Sequence, residues 1–123
     1  MTRLAHWVEP GSTISEAKAL MEEHGVRHLP VMEAGKIAGM LTLSDVYIIE
    51  SMLAVDPDKF LVESAMSLDA FVVDADAPLA EVARGMSERH IGSAIVQRAD
   101  RVEGIFTASD GLRALGEILD NAR

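Results

Sequence analysis

Displaced along itself by 65 residues, the chain matches itself without a gap, and this repeat limits what it can fold into more than any other feature. Met1 falls on Met66, Ala5 on Ala70, Val8 on Val73, Glu16 on Glu81, Met21 on Met86 and Glu23 on Glu88. Val31, Ala34, Gly39, Thr42, Ser44 and Asp45 fall on Val96, Ala99, Gly104, Thr107, Ser109 and Asp110. Twelve identities within 45 aligned positions compare with roughly three expected from average residue usage. Ile14 with Leu79, Val26 with Ile91 and Ile37 with Val102 add conservative pairs, and charge divides almost evenly between the halves. The reading is two copies of one supersecondary unit: repeat 1 over residues 1–55, a linker at 56–65 and repeat 2 over residues 66–123. A copy of about 50 residues with three short strands is marginal alone, so the two are expected to pack together.

Each copy shows the same order of elements. His6–Glu9 and Ala70–Asp74 read as short extended openings. The spacing of Ile14, Ala17, Leu20 and Met21 predicts a helix over 14–24, with Ser12 or Thr13 as cap, Thr13 and Glu16 as a capping box, and Gly25 as its stop. Leu79, Val82, Ala83 and Met86 repeat that stripe, with Pro78 in the first turn. His28–Met32 and Lys36–Thr42 flank Glu33-Ala34-Gly35 as a hairpin, and Ser93–Arg98 and Arg101–Thr107 do the same around Ala99-Asp100. A second helix is expected from Ser44 or Asp45, and again from Ser109 or Asp110. Asp56-Pro57-Asp58 breaks the chain between copies, and Phe60–Met66 reads as a short helical approach to the second. The strands are apolar on both faces, as in sheets covered by helices. The fold class is therefore α/β (α+β), two β-α-β-β-α repeats.

Composition removes several functions. Net charge is −9, against a binder of nucleic-acid phosphates. Without cysteine there is no disulfide scaffold, thiol nucleophile or thiolate zinc site. No apolar run nears the roughly 20 residues that span a bilayer, and no signal-peptide core precedes Glu9, so a cytoplasmic domain with no membrane or nucleic-acid partner is expected. His24 and His28 are four apart, but Gly25 interrupts the helix between them, so no metal site is expected. His6 and Trp7 are assigned to packing, and Glu22-Glu23 to a solvated helix face. No nucleophile–base set or glycine-rich phosphate loop is visible, so the chain is expected not to be an enzyme and to require no cofactor.

The sharpest local signal is Gly39-Met40-Leu41-Thr42-Leu43-Ser44-Asp45, repeated as Gly104-Ile105-Phe106-Thr107-Ala108-Ser109-Asp110. A strand ends at the Thr and a helix opens near the Asp. Hydroxyls and free N–H groups at a helix start attract phosphate oxygens, and an Asp there can accept from vicinal ribose hydroxyls. Plain helix capping by Ser44 and Asp45 is the competing explanation.

Taken with Thr13-Ile14-x-Glu16-Ala17 and Val26-x-x-Leu29-Pro30-Val31, and with Leu79-x-Glu81-Val82 and Ile91-Gly92-Ser93-Ala94-Ile95-Val96, this pattern resembles a cystathionine beta-synthase (CBS) domain. Two in tandem resemble a Bateman module, and the likeness covers nearly the whole chain. The resemblance implies a pseudo-twofold pair with two clefts between the copies that hold AMP, ATP or S-adenosylmethionine. It implies ligand contacts from Thr42, Ser44 and Asp45 in one cleft and Thr107, Ser109 and Asp110 in the other, with each cleft borrowing the other copy's opening loop, Asp76–Leu79 or Pro10–Ile14. Residues before the central strand also contribute: Arg27 and His28 in the first copy, Ile91, Gly92 and Ser93 in the second. A basic residue there meets phosphate in nucleotide-binding relatives, so Arg27 makes the first cleft the cationic one. The first copy shows no counterpart of Val62–Met66 before Met1, which predicts a more open first cleft.

These features point to a regulatory module that senses an adenosyl ligand and signals occupancy to a partner. The second helices carry Val46, Ile48, Ile49, Met52 and Leu53, and Leu112, Leu115, Ile118 and Leu119, more apolar surface than one small pair needs, so a homodimer is expected. The alternatives are a scaffold module whose clefts no longer bind, with Asp45 and Asp110 as caps alone, and a small nucleotide hydrolase, which the lack of a metal-binding carboxylate cluster argues against.

Overall fold

The computed structural model describes residues 2–3 and 6–122; Met1 and Arg123, the outer bounds of the two repeats, lie outside them. The chain forms two compact units. One is His6–Ala70; the other takes Phe71 onward together with the N-terminal strand Thr2–Arg3.

In the first unit the amphipathic stripe gives helix α1, Ile14–His24. Thr13 caps it by accepting from the Glu16 N–H at 3.2 Å, and Gly25 ends it at φ 63°. The cap is one-sided, because Glu16 makes no return bond to Thr13 among the described residues. Strands β2, His28–Glu33, and β3, Lys36–Thr42, pair antiparallel through a turn at Ala34 and Gly35, both at positive φ as a tight right-twisted hairpin requires. Helix α2, Leu43–Glu50, follows directly. Single bridges extend the hairpin on both sides, Val8 parallel to Val31 and Ser67 antiparallel to Met40.

The second unit repeats these elements at the same offset, with β1, Thr2–Arg3, as an added edge. Strand β4, Val72–Asp74, precedes helix α3, Leu79–Arg89, strands β5, Ser93–Arg98, and β6, Arg101–Thr107, and helix α4, Ala108–Asn121. Its sheet has four strands in the order β1-β6-β5-β4, one more than the β-α-β-β-α pattern predicts. The extra strand comes from the chain's start: Thr2 faces Ile105 and Arg3 faces Gly104. The counterpart of Thr2, Ser67, faces Met40 of the first unit. The segment opening each copy therefore pairs with the other copy's hairpin. Even the hairpin irregularity is duplicated, after Val31 and after Val96.

Ile14, Ala17, Leu29, Val31, Leu41, Val46 and Val62 of the first unit are fully buried, with Met21 beside them. Among the described residues the second unit buries Val82, Met86, Ala94, Ile95, Val96, Ile105 and Phe106. Residues 56–65 contribute to the first core. Val62, at the head of a short 3-10 turn over Val62–Ser64, is fully buried there and Phe60 packs beside it.

Candidate functional site

Both second helices begin one residue before the earliest expected start, and the reason is the capping box. Thr42 is the N-cap of α2. Its hydroxyl accepts from the Asp45 N–H at 3.2 Å, and Asp45 Oδ2 accepts from the Thr42 N–H at 2.9 Å. Thr107 and Asp110 form the same reciprocal pair on α4, at 3.3 and 2.9 Å. Threonine thus carries the cap, Asp sits three residues on, and Ser44 and Ser109 lie exposed between them. Capping by Asp is real at both sites, and each carboxylate commits one oxygen to it.

Around the first box the structure gathers Arg27, His28, Thr42, Leu43, Ser44 and Tyr47 along a cavity of about 340 Å³. The gathering is local in origin. The Leu43 N–H donates to the Arg27 carbonyl at 2.9 Å, which fixes the residue before β2 beside the start of α2. His28 stands opposite Thr42 in the ladder. Arg27 is exposed and makes no ion pair among the described residues, so its charge is uncommitted; Glu23 approaches His24 instead, at 3.8 Å. His28 is held below the ordinary imidazole value, chiefly by burial and then by the Arg27 charge, with Asp45 opposing. The pocket therefore presents a neutral imidazole, a free guanidinium and two hydroxyls at a helix N-terminus, a set suited to an oxyanion.

The second box has different surroundings. The Ala108 N–H donates to the Gly92 carbonyl at 2.9 Å, and Ser93, buried, faces Thr107. Gly92 offers no cation there. Asp110 is buried, and the Arg113 Nη1 donates to its Oδ1 at 3.3 Å. Asp110, Arg113 and Glu117 rim another cavity of about 340 Å³, otherwise lined mainly by apolar residues of β4, α3, β5 and β6. Thr107, Ser109, Ile91, Gly92 and Ser93 do not line it.

Sequence reasoning missed Tyr47 and Arg113. Tyr47 is the chain's one tyrosine, two residues beyond Asp45, and that position was the available signal. Arg113 is one turn past Asp110 where the first copy has Ile48, so comparing the copies beyond the shared motif would have found it. His6 stacks on His24, ring centroids 3.5 Å apart, and Trp7 is half exposed. Among the described residues no helix is long and apolar enough to cross a membrane.

The family model described as CBS domain matches residues 1–49 and 62–117. A solved structure of an uncharacterized conserved protein from Pyrococcus horikoshii is 33% identical, with TM-score 0.80, covering 93% of this chain and 86% of that one. The CBS domain pair of protein MJ0100, solved with 5′-methylthioadenosine and S-adenosyl-L-methionine, is 27% identical with TM-score 0.79, covering 94% of this chain and 92% of that one. The inosine-5′-monophosphate dehydrogenase of Korarchaeum cryptofilum is 31% identical over 104 residues, 84% of this chain. The chain spans only 21% of that enzyme's length.

Proposed function

The chain belongs to the CBS-domain family as a tandem pair, and from that premise we propose that it is a regulatory module that binds an adenosyl ligand, AMP, ATP or S-adenosylmethionine, and signals its occupancy to a partner. The observation that carries the reading is the uncommitted Arg27, beside His28, Thr42 and Ser44 at the start of α2. In this reading Asp45 and Thr42 take the ribose hydroxyls, Ser44 and the helix N-terminus take a phosphate oxygen, and Arg27 neutralises the phosphate. Tyr47, at the cavity margin, offers an aromatic face to the base. The ligand complex of MJ0100 supports the ligand class. In the second repeat Thr107, Ser109 and Asp110, with Ile91, Gly92 and Ser93, are the matching positions, without the free cation.

A net charge of −9 opposes an anionic ligand, so local cations determine whether it binds. Binding signals only through unequal affinity for two conformations. The exposed apolar residues Ile48 of α2 and Met52 just past its end, where the helix stops two residues short of the expected Met52 and Leu53, and Leu112, Leu115 and Leu119 of α4 are read as a homodimer interface.

One observation favours the rival reading of a scaffold module without ligand: the two capping boxes account for both Asp residues with nothing bound. Calorimetric titration of the whole chain with AMP, ATP and S-adenosylmethionine separates the readings. Saturable heat from at least one, with no product formed, is expected. Silence from all three would leave the scaffold reading.

A further inference from the structure

One group in the first pocket changes its charge near neutrality. A guanidinium such as that of Arg27 stays charged at any working pH, and Thr42 and Ser44 bring hydroxyls. His28 brings an imidazole, the side chain that gains or loses its charge between about pH 5 and 8. It follows Arg27 directly in the chain, lines the same cavity and stands opposite Thr42 in the pairing of β2 with β3. The Leu43 N–H donates to the Arg27 carbonyl at 2.9 Å and so ties the segment carrying both side chains to the start of α2.

The surroundings of the ring set its charge. It is half-buried, which disfavours the imidazolium, and the Arg27 guanidinium acts in the same direction. Asp45 of α2 opposes both. Among the described residues these are the charged groups that act on the ring, and Tyr47 of α2 is the other titratable side chain along the cavity. The pocket by itself therefore holds one permanent cation and a ring one proton short of being a second. A phosphate dianion placed among Arg27, Thr42 and Ser44 shifts that balance. Its negative charge offsets the repulsion from Arg27 and favours the imidazolium. Linkage is reciprocal: if the phosphate favours the proton, the proton favours the phosphate by the same factor.

We propose that phosphate binding in the first pocket is proton-linked through His28: the ring takes up a proton as the phosphate arrives, and affinity for a phosphorylated ligand rises as pH falls through the neutral range. The inference rests on the adenosyl reading of this pocket and adds a second input to it, so that the module answers to ligand and acidity together. The second unit supplies a contrast within the same chain, because Ser93 faces Thr107 where His28 faces Thr42 and has no charge to gain.

Calorimetric titration of the whole chain with AMP at about pH 7.5 and about pH 6.5, each in two buffers of different ionisation heat, tests it. One linked proton changes affinity by at most about tenfold per pH unit, so a rise of about three- to tenfold is expected at the lower pH. The heats should depend on the buffer and report uptake of up to about one proton per AMP. AMP itself gains a proton near about pH 6, and His28→Asn corrects for this: the variant should keep only the ligand's own contribution. Adenosine, which has no phosphate, should show no such rise. A check without any variant is the His28 ring signal followed by NMR against pH. Its midpoint should lie higher in the AMP-saturated chain than in the free one, while that of His90 stays in place. A rise of the same size in His28→Asn or for adenosine would overturn the inference, as would a His28 midpoint that AMP leaves unmoved. In each of these cases AMP still binds and the adenosyl reading stands. Absence of AMP binding at both pH values would overturn the inference and that reading together.

Discussion

The two units are built from duplicated sequence, yet the residues around their capping boxes differ. In the first, Phe60 and Val62 complete a core in which Ile14, Leu29, Leu41 and Val46 are fully buried. In the second, Ala94 and Ile95 are fully buried, and a cavity of about 340 Å³ lies beside Leu79 and Asp110. The charges diverge as well. Among the described residues the first unit holds Arg27 without an ion pair beside His28, whose pKa is lowered; the second commits Arg113 to a buried Asp110. Duplication copied the capping boxes faithfully, while the chemistry around them went separate ways. The difference teaches that the shared Thr-x-Ser-Asp motif explains the helix start, and that any ligand selectivity must come from residues the copies do not share.

The largest test of this contrast is a pair of truncations at equivalent positions. Ile14→Ala empties a sealed core and should cost about 2–5 kcal/mol. Leu79→Ala removes a side chain that is 44% exposed and should cost about 1 kcal/mol or less. Chemical denaturation of both variants checks this; equal losses would mean that Leu79 is as buried in solution as Ile14.

A smaller effect separates the two boxes. Asp45→Ala removes a cap, which costs about 0.5–2 kcal/mol. Asp110→Ala should cost more, because a buried carboxylate also loses Arg113; that exposed partner adds at most about 1 kcal/mol. Thermal melts of the two variants rank them, and a larger loss at Asp45 would contradict the assignment.

The smallest expected effect is in pH. Burial and Arg27 hold His28 below 6.5 in the folded chain. As pH falls below about 6.5, the unfolded chain takes up a proton at this site before the folded one does, so stability falls with falling pH until the folded value is passed. The counterpart, Ser93, does not titrate. Replacing His28 with Asn should flatten this part of the pH–stability curve, and an unchanged slope would place the titration elsewhere.

Much of this was legible in the sequence because local chemistry dictates it. The stripe from Ile14 to Met21 and the glycine after His24 placed α1, and the hairpin turns placed the four central strands, with β2 running one residue further than expected, to Glu33. The second helices were placed one or two residues late, because Ser and Asp are favoured caps and the threonine before them was read as the strand's end. The pairing of residues 57–62 with the start of α1 and the fourth strand escaped notice for a different reason. Both are long-range pairings, Ser12 with Val62 and Thr2 with Ile105, and neither leaves a local periodicity. At the candidate site, Arg27 and His28 were found because the copies differ there inside the motif. Tyr47 and Arg113 lie just beyond it, on helix faces that only three dimensions bring to the pockets.

The central claim is that Arg27 makes the first pocket a phosphate site, and one comparison tests it most directly: calorimetric titration of the chain and its Arg27→Ala variant with AMP and with adenosine. A charge-assisted hydrogen bond contributes roughly 1.5–3 kcal/mol, so the variant should lose about tenfold or more in AMP affinity and almost none for adenosine, while Asp45→Ala should weaken both. Equal losses for the two ligands in Arg27→Ala, or no loss for either, would contradict the account.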